Sequence, residues 1–205
     1  MISFVLGGGC FWCLDSSFMQ FRGIQDVEVG YSGGHTGNPD YETVCSEATG
    51  HAEVARVIFD EDQIPAETVL DIFFTLHDPT QLNRQGNDIG SSYRTCMFFE
   101  DENQKQLFID AIERAKKVWG DGIVTTIQPL EKFWMGEEYH QDFFAKNPNQ
   151  GYCNFVVKPK MDKTAKAFTS YLKWLFHRFD LNQHSYFVDW DSFYLIRPIR
   201  LKEGK

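Results

Sequence analysis

Three consecutive glycines, Gly7 to Gly9, stand between a short apolar run and a stripe of apolar residues at helical spacing. Ile2 to Leu6 suits a strand. From Cys10 to Phe21, the residues Phe11, Leu14, Phe18 and Phe21 recur every three or four positions, as on one face of a helix that Gly23 stops. Val27 to Tyr31 and Ala52 to Asp60 read as strands. Pro65 opens a helix whose stripe is Val69, Ile72, Phe73 and Leu76. Tyr93 to Glu100, Asp101 to Trp119 and Gly122 to Gln128 read as strand, helix and strand. The order β-α-β-β-α-β, with an added helix and strand, predicts an α+β fold: a ferredoxin-like two-layer α/β sandwich, with a split β-α-β unit, a mixed sheet and helices over it.

Two long polar loops interrupt this pattern, Ser32 to Asp40 and His77 to Ser92, and loops of the second length are usually functional or disordered. Glu137 to Lys146 reads as a further helix, closed by Pro148 and the Gly151-Tyr152-Cys153 turn. Phe168, Tyr171, Leu172, Leu175, Phe176 and Phe179 predict an amphipathic helix over 162–179 that covers an apolar flank, followed by an aromatic-rich tail to Ile199.

Apolar residues make up 42% of the 205 and charged residues 24%, which excludes a disordered chain. The net charge of −9 argues against a nucleic-acid partner. Residues 1–153 carry −14 and residues 154–205 carry +5, as expected of a basic terminal segment drawn to an acidic body. No run of 18 apolar residues exists to span a membrane, and the first six residues lack the basic start of a secretory signal. Five cysteines are an odd number for a secreted disulfide framework, so the expected address is the cytoplasm.

The densest chemistry lies in Gly9-Cys10-Phe11-Trp12-Cys13. A thiol at a helix start has backbone N–H groups and the positive end of the helix dipole beside it, which favours a thiolate at Cys10. Phe11 and Trp12 suggest an apolar pocket for a small hydrophobic group. Cys10 and Cys13 form a C-x-x-C, the pattern of redox exchange or of half a zinc site. Cys45, Cys96, Cys153, His35 and His51 supply no second close pair, and the Gly-Pro of a thioredoxin-type site is missing between Cys10 and Cys13. On the strand beginning at Ala52, Glu53 shares a face with Ala55, Val57 and Phe59, where a carboxyl would be desolvated and kept protonated; a strand-end glutamate reaching solvent would look the same. Asp88 with Tyr93, and Tyr41 after Asn38-Pro39-Asp40, offer a carboxylate and phenols from loops. His140 fits the polar face of its helix.

Taken together and in order, these segments resemble the A-type peptide methionine sulfoxide reductases. The resemblance rests on Gly-Cys-Phe-Trp at 9–12, Gly-Tyr-Ser-Gly-Gly at 30–34, Asn-Pro-Asp-Tyr at 38–41 and Thr-Gly-His-Ala-Glu at 49–53. It continues through the run at 77–88, Tyr-Arg at 93–94, Glu-Tyr-His-Gln at 138–141 and Gly-Tyr-Cys at 151–153. It implies a catalytic domain over 1–160 and a C-terminal extension over 161–205. It further implies reduction of methionine-S-sulfoxide, free or in proteins, by a monomer that needs no metal or organic cofactor. Carried onto this chain, Cys10 attacks the sulfoxide sulfur, Glu53 protonates the leaving oxygen with Tyr41 and Tyr93 donating to it, and Asp88 organises the site. Phe11 and Trp12 hold the methyl group. The resulting Cys10 sulfenic acid is resolved by a second thiol, and thioredoxin reduces the disulfide. Cys13 and Cys153 compete for the resolving role; Cys153 is favoured because cysteines three apart at a helix start need backbone distortion to bridge. Asp15 stands where many relatives have Glu, which is expected only to tune the helix start.

Overall fold

The N-terminal apolar run becomes β1 (Ile2–Gly7). It lies inside a six-stranded sheet in the computed structural model, which describes residues 1–173. The other strands are β2 (Ile24–Ser32), β3 (Ala52–Phe59), β6 (Cys96–Phe99), β7 (Thr126–Pro129) and β8 (Trp134–Met135), in the order β7-β6-β1-β3-β2-β8. All neighbours are antiparallel except β6 and β7, so the sheet is mixed and the fold is α+β. A separate two-stranded ribbon, β4 (Arg84–Gln85) with β5 (Asp88–Ile89), lies within the long polar loop. The helices are α1 (Phe11–Met19), α2 (Tyr41–Cys45), α3 (Ala66–Leu76), α4 (Glu102–Trp119), α5 (Phe143–Lys146) and α6 (Lys158–Ala167).

Strand alternation decides what goes where. Phe4 and Leu6 of β1 and Ala55, Val57 and Phe59 of β3 form the main core with Leu14 and Phe18 of α1, Val69 and Phe73 of α3 and Phe108 of α4. The opposite residues, Val5, Val54 and Phe98, pack beneath Leu130 and Phe133. Both faces of β1 and β3 are thus buried, which is why the N-terminal run reads as continuously apolar.

Several boundaries differ from the sequence reading. The helix expected over Glu137 to Lys146 is broken: Glu138–His140 is a single 3-10 turn, Asp142 is left-handed at φ 56°, and α5 follows. The Gln141 side chain causes the break. It accepts from Val29 N–H and donates to the carbonyls of Val29 and Gly136, which fastens this segment to the edge of β2 instead of letting it coil. The strand expected from Tyr93 starts at Cys96, because Ser91–Tyr93 is a 3-10 turn. The C-terminal helix runs from Lys158 to Ala167, not from 162 to 179. Beyond it, Arg22 N–H donates to Tyr171 O and Lys173 N–H to Gln20 O, and these bonds to the end of α1 draw the chain out of helical form. Positions 174–179 and the aromatic tail lie outside the described residues. Helix α6 is held on α1 by Gln20, whose amide donates to Met161 O and Thr164 Oγ1. Among the described residues, no helix is long and apolar enough to cross a membrane.

Candidate active site

The first strand must end abruptly for Cys10 to stand at a helix start, and the glycines allow it. Gly9 has φ +89°, and a Cβ there would come within 2.8 Å of the Gln85 Cβ. At Gly7 a Cβ would come within 2.6 Å of Cys96 Sγ. Gly9→Ala is therefore expected to lower stability by about 1–2 kcal/mol through left-handed strain alone, with a further loss from the collision. A urea unfolding curve with a lower midpoint and an unchanged slope is the expected result; an unchanged midpoint would mean that the turn tolerates a side chain.

Cys10 is the residue before the first turn of α1, and it is only 6% exposed. Its surroundings overturn the expectation of a depressed pKa. The first backbone donor of the helix, Phe11 N–H, bonds Glu53 Oε2 at 3.0 Å rather than the sulfur. Burial pushes the Cys10 thiol well up, and hydrogen bonding to Cys13 together with the negative charges of Cys13 and Glu53 adds to this. The neighbouring thiol moves the other way. Cys13, one turn into α1 and also buried, is held below its ordinary pKa chiefly by the hydrogen bond from Cys10. Burial opposes that, and the ammonium of Lys160 on α6 assists it. Of the two thiols, then, Cys10 is the one pushed up and Cys13 the one held down.

Glu53 lies on the same face of β3 as Ala55, Val57 and Phe59, as alternation predicts, and is 2% exposed. Burial pushes its carboxyl up to about 8 against the opposing Phe11 N–H bond, with the charges of Asp88, Cys13 and Glu47 contributing. It is a carboxylic acid at neutral pH. Tyr41 and Tyr93 face the same pocket. Burial raises both phenols, and Glu53, Cys45 and Cys10 are among the groups that raise them further, so both remain donors. Tyr41 is placed by the capping of α2, where Asp40 accepts from Thr43 N–H, and by its own N–H on Glu137 Oε1 at 2.7 Å. The other oxygen of Glu137 accepts from the Tyr31 hydroxyl.

Asp88 is carried by the β4–β5 ribbon. The loop around it is built rather than disordered: Asp78 N–H donates to Gln85 Oε1, and Gln85 Nε2 donates back to Asp78 O. The Asp88 carboxylate accepts from the Tyr152 hydroxyl at 2.8 Å, and that hydroxyl is within hydrogen-bond reach of the Cys10 sulfur. Cys153 is buried and opens a π-helical turn, Cys153–Val157; burial raises its pKa, and the charge of Cys13 adds to this. All five cysteines are free thiols.

The aromatic wall is larger than Phe11 and Trp12 alone. Trp12 stacks on Phe143 with centroids 3.7 Å apart, and Phe11 packs against Tyr31 and His140. His140 is not on a polar face. It is 2% exposed, accepts from Trp12 Nε1–H at 3.1 Å, and has Tyr41 against its ring. Burial lowers its pKa, so it is a neutral acceptor that orients the indole. Tyr152 and His140 are the site residues missed from sequence. Their only signal in the sequence is membership of the Gly-Tyr-Cys and Glu-Tyr-His-Gln segments, since neither a phenol beside a cysteine nor a histidine at helical spacing carries a local pattern of its own.

Two buried thiols in hydrogen-bond reach of each other beside a buried, protonated carboxyl suit a thiol-dependent oxidoreductase. Comparison with known proteins narrows the class. The sequence profile described as Peptide methionine sulfoxide reductase matches residues 3–172, and the chain belongs to that family, among its A-type members. Over 173 residues it is 57% identical to the peptide methionine sulfoxide reductase MsrA of Clavibacter michiganensis, an alignment covering 84% of this chain and 99% of the relative. The reduced form of Mxr1 from Saccharomyces cerevisiae superposes with a TM-score of 0.70 at 33% identity, covering 74% of this chain and 88% of that one. The yeast protein has also been solved in complex with Trx2. Methionine sulfoxide reductase A of Corynebacterium diphtheriae gives 0.68 at 33% identity, covering 75% and 77%.

Proposed function

We propose that the chain reduces the S epimer of methionine sulfoxide, free and in proteins, with Cys10 as nucleophile and Glu53 as acid. The observation that carries this reading is the shared anchor of the two: the backbone N–H that follows Cys10 holds the Glu53 carboxyl, so thiol and proton donor face one pocket. The sulfoxide oxygen cannot leave as a bare oxide. Glu53 gives it a proton, with the Tyr41 and Tyr93 hydroxyls donating to it, while Asp88 holds Tyr152 in place. The methyl group lies against Phe11 and Trp12. Cys10 passes its proton to the Cys13 sulfur, which Lys160 favours as the anion, and bonds the sulfoxide sulfur. The protonated oxygen leaves the substrate sulfur as water and attacks the Cys10 sulfur; the bond between the two sulfurs breaks, its electron pair departs with methionine, a proton returns to Glu53, and Cys10 is left as sulfenic acid.

The hydrogen bond between Cys10 and Cys13 supports Cys13, ahead of Cys153, as the first thiol to resolve the sulfenic acid. Cys13, now a thiol, attacks the sulfenic sulfur; a disulfide forms and the oxygen departs as water. Cys153, close enough to feel the Cys13 charge, then exchanges with it and frees Cys10. A dithiol such as thioredoxin reduces the Cys13–Cys153 disulfide, a reading supported by the yeast relative's complex with Trx2. Five free thiols suit a reducing compartment, so the cytoplasm is the proposed address and protein repair the proposed role. The antiparallel order β6-β1-β3-β2 supports a ferredoxin-like description of the four central strands.

Offering the separate R and S epimers with dithiothreitol tests the reading. The expected outcome is methionine from the S epimer alone; preference for R, or no product from either, removes it.

A further inference from the structure

Glu47 lies between α2, which carries Tyr41, and β3, which carries Glu53, and it adopts φ +62°. A glutamate rarely takes this left-handed form, so something must hold it there. Its carboxylate turns back onto the Ser91–Tyr93 turn, where it has four donors. The hydroxyls of Ser91 and Ser92 each donate at 2.6 Å, and the N–H groups of both residues donate as well. The turn is shaped to receive it. Gly90 has no Cβ, and one there would strike the Glu47 carboxylate; Ser92 is buried. The same turn ends in Tyr93, whose N–H bonds Gly90 O.

We propose that Glu47 is a positioning residue, its carboxylate clamping the Ser91–Tyr93 turn so that the Tyr93 phenol is presented to the pocket of Cys10 and Glu53. The inference rests on the role given to Tyr93 under the proposed function. One carboxylate thereby joins the three segments that bring Tyr41, Glu53 and Tyr93 together. The four donors, opposing burial, also keep Glu47 ionised, and its charge is among those that favour the acid form of Glu53.

The experiment compares Glu47→Gly, Glu47→Gln, Tyr93→Phe and the Glu47→Gly/Tyr93→Phe double variant, by steady-state reduction of the S epimer and by thermal unfolding. Glycine suits the left-handed backbone, so Glu47→Gly is expected to keep a cooperative melt. Its kcat is expected to fall about 10–100-fold with little change in KM, the cost of a misplaced catalytic group. Glu47→Gln retains an acceptor for the serine hydroxyls and should recover most of that loss. The double variant should be no slower than the slower single one, because both substitutions remove the same interaction. A wild-type kcat in Glu47→Gly beside a slow Tyr93→Phe overturns the inference and spares the reading of Tyr93. Losses that multiply in the double variant also overturn it. Full activity in Tyr93→Phe overturns both.

Discussion

Glu53→Gln is expected to lower turnover of methionine-S-sulfoxide about 100- to 10,000-fold, the usual worth of a positioned general acid. The amide keeps the shape of the side chain and can still accept from Phe11 N–H, so the loss isolates the proton. The pH dependence gives a sharper reading. With its carboxyl pushed up to about 8, the free enzyme holds the acid form at neutrality and loses it as pH rises through that value. For the parent, kcat/KM should therefore fall above pH 8, and this falling limb should vanish in Glu53→Gln. Stability follows with a definite sign. An exposed glutamate titrates near about 4.3, so between there and about 8 the folded chain holds a proton that the unfolded chain lacks. Folding stability from this group is full below the lower value and declines as pH rises through the window. Glu53→Gln should thus melt higher than the parent at pH 8 and show no such advantage at pH 4. A variant with near-parental rates across the pH range would exclude Glu53 as the acid.

Cys10→Ser is expected to bring turnover to the uncatalysed background, and the other two thiols should separate from it in a single-turnover assay. Without added reductant, Cys13→Ser and Cys153→Ser should each still form methionine, since neither sulfur bonds the substrate. Cys13→Ser removes the acceptor for the Cys10 proton and should slow that first turnover. Cys153→Ser should leave its rate unchanged and stop recycling by thioredoxin, with a Cys10–Cys13 disulfide recovered by mass spectrometry. If Cys153→Ser accumulates sulfenic acid without that disulfide, Cys13 is not the first resolving thiol. Product formation by Cys10→Ser would remove the nucleophile assignment itself.

Much of this arrangement is legible in the chain because it follows from short-range rules. Alternation along β3 puts Glu53 on the core face, and three glycines before a helical stripe put Cys10 at a helix start. The strand and helix pattern suffices for an α+β fold with a mixed sheet. The failures have a common cause in contacts between distant segments. The upward shift of the Cys10 thiol cannot be read from its helix, because Phe11 N–H is claimed by a residue 42 positions away and burial acts on the sulfur. Periodicity over 137–146 was overruled by one glutamine bonding the edge of β2. His140 was hidden for the same reason. Strand β8, of two residues, is too short to leave a pattern at all.

The thiol of Cys96 lies against Gly7, wholly buried, with burial pushing its pKa up to about 11. An enzyme that makes an electrophilic sulfur at every cycle risks trapping itself in mispaired cross-links. Packed beneath the first strand and locked in its unreactive form, this sulfur is a spectator. It should stay unlabelled by alkylating reagents for as long as the protein remains folded, which makes it an internal clock for unfolding.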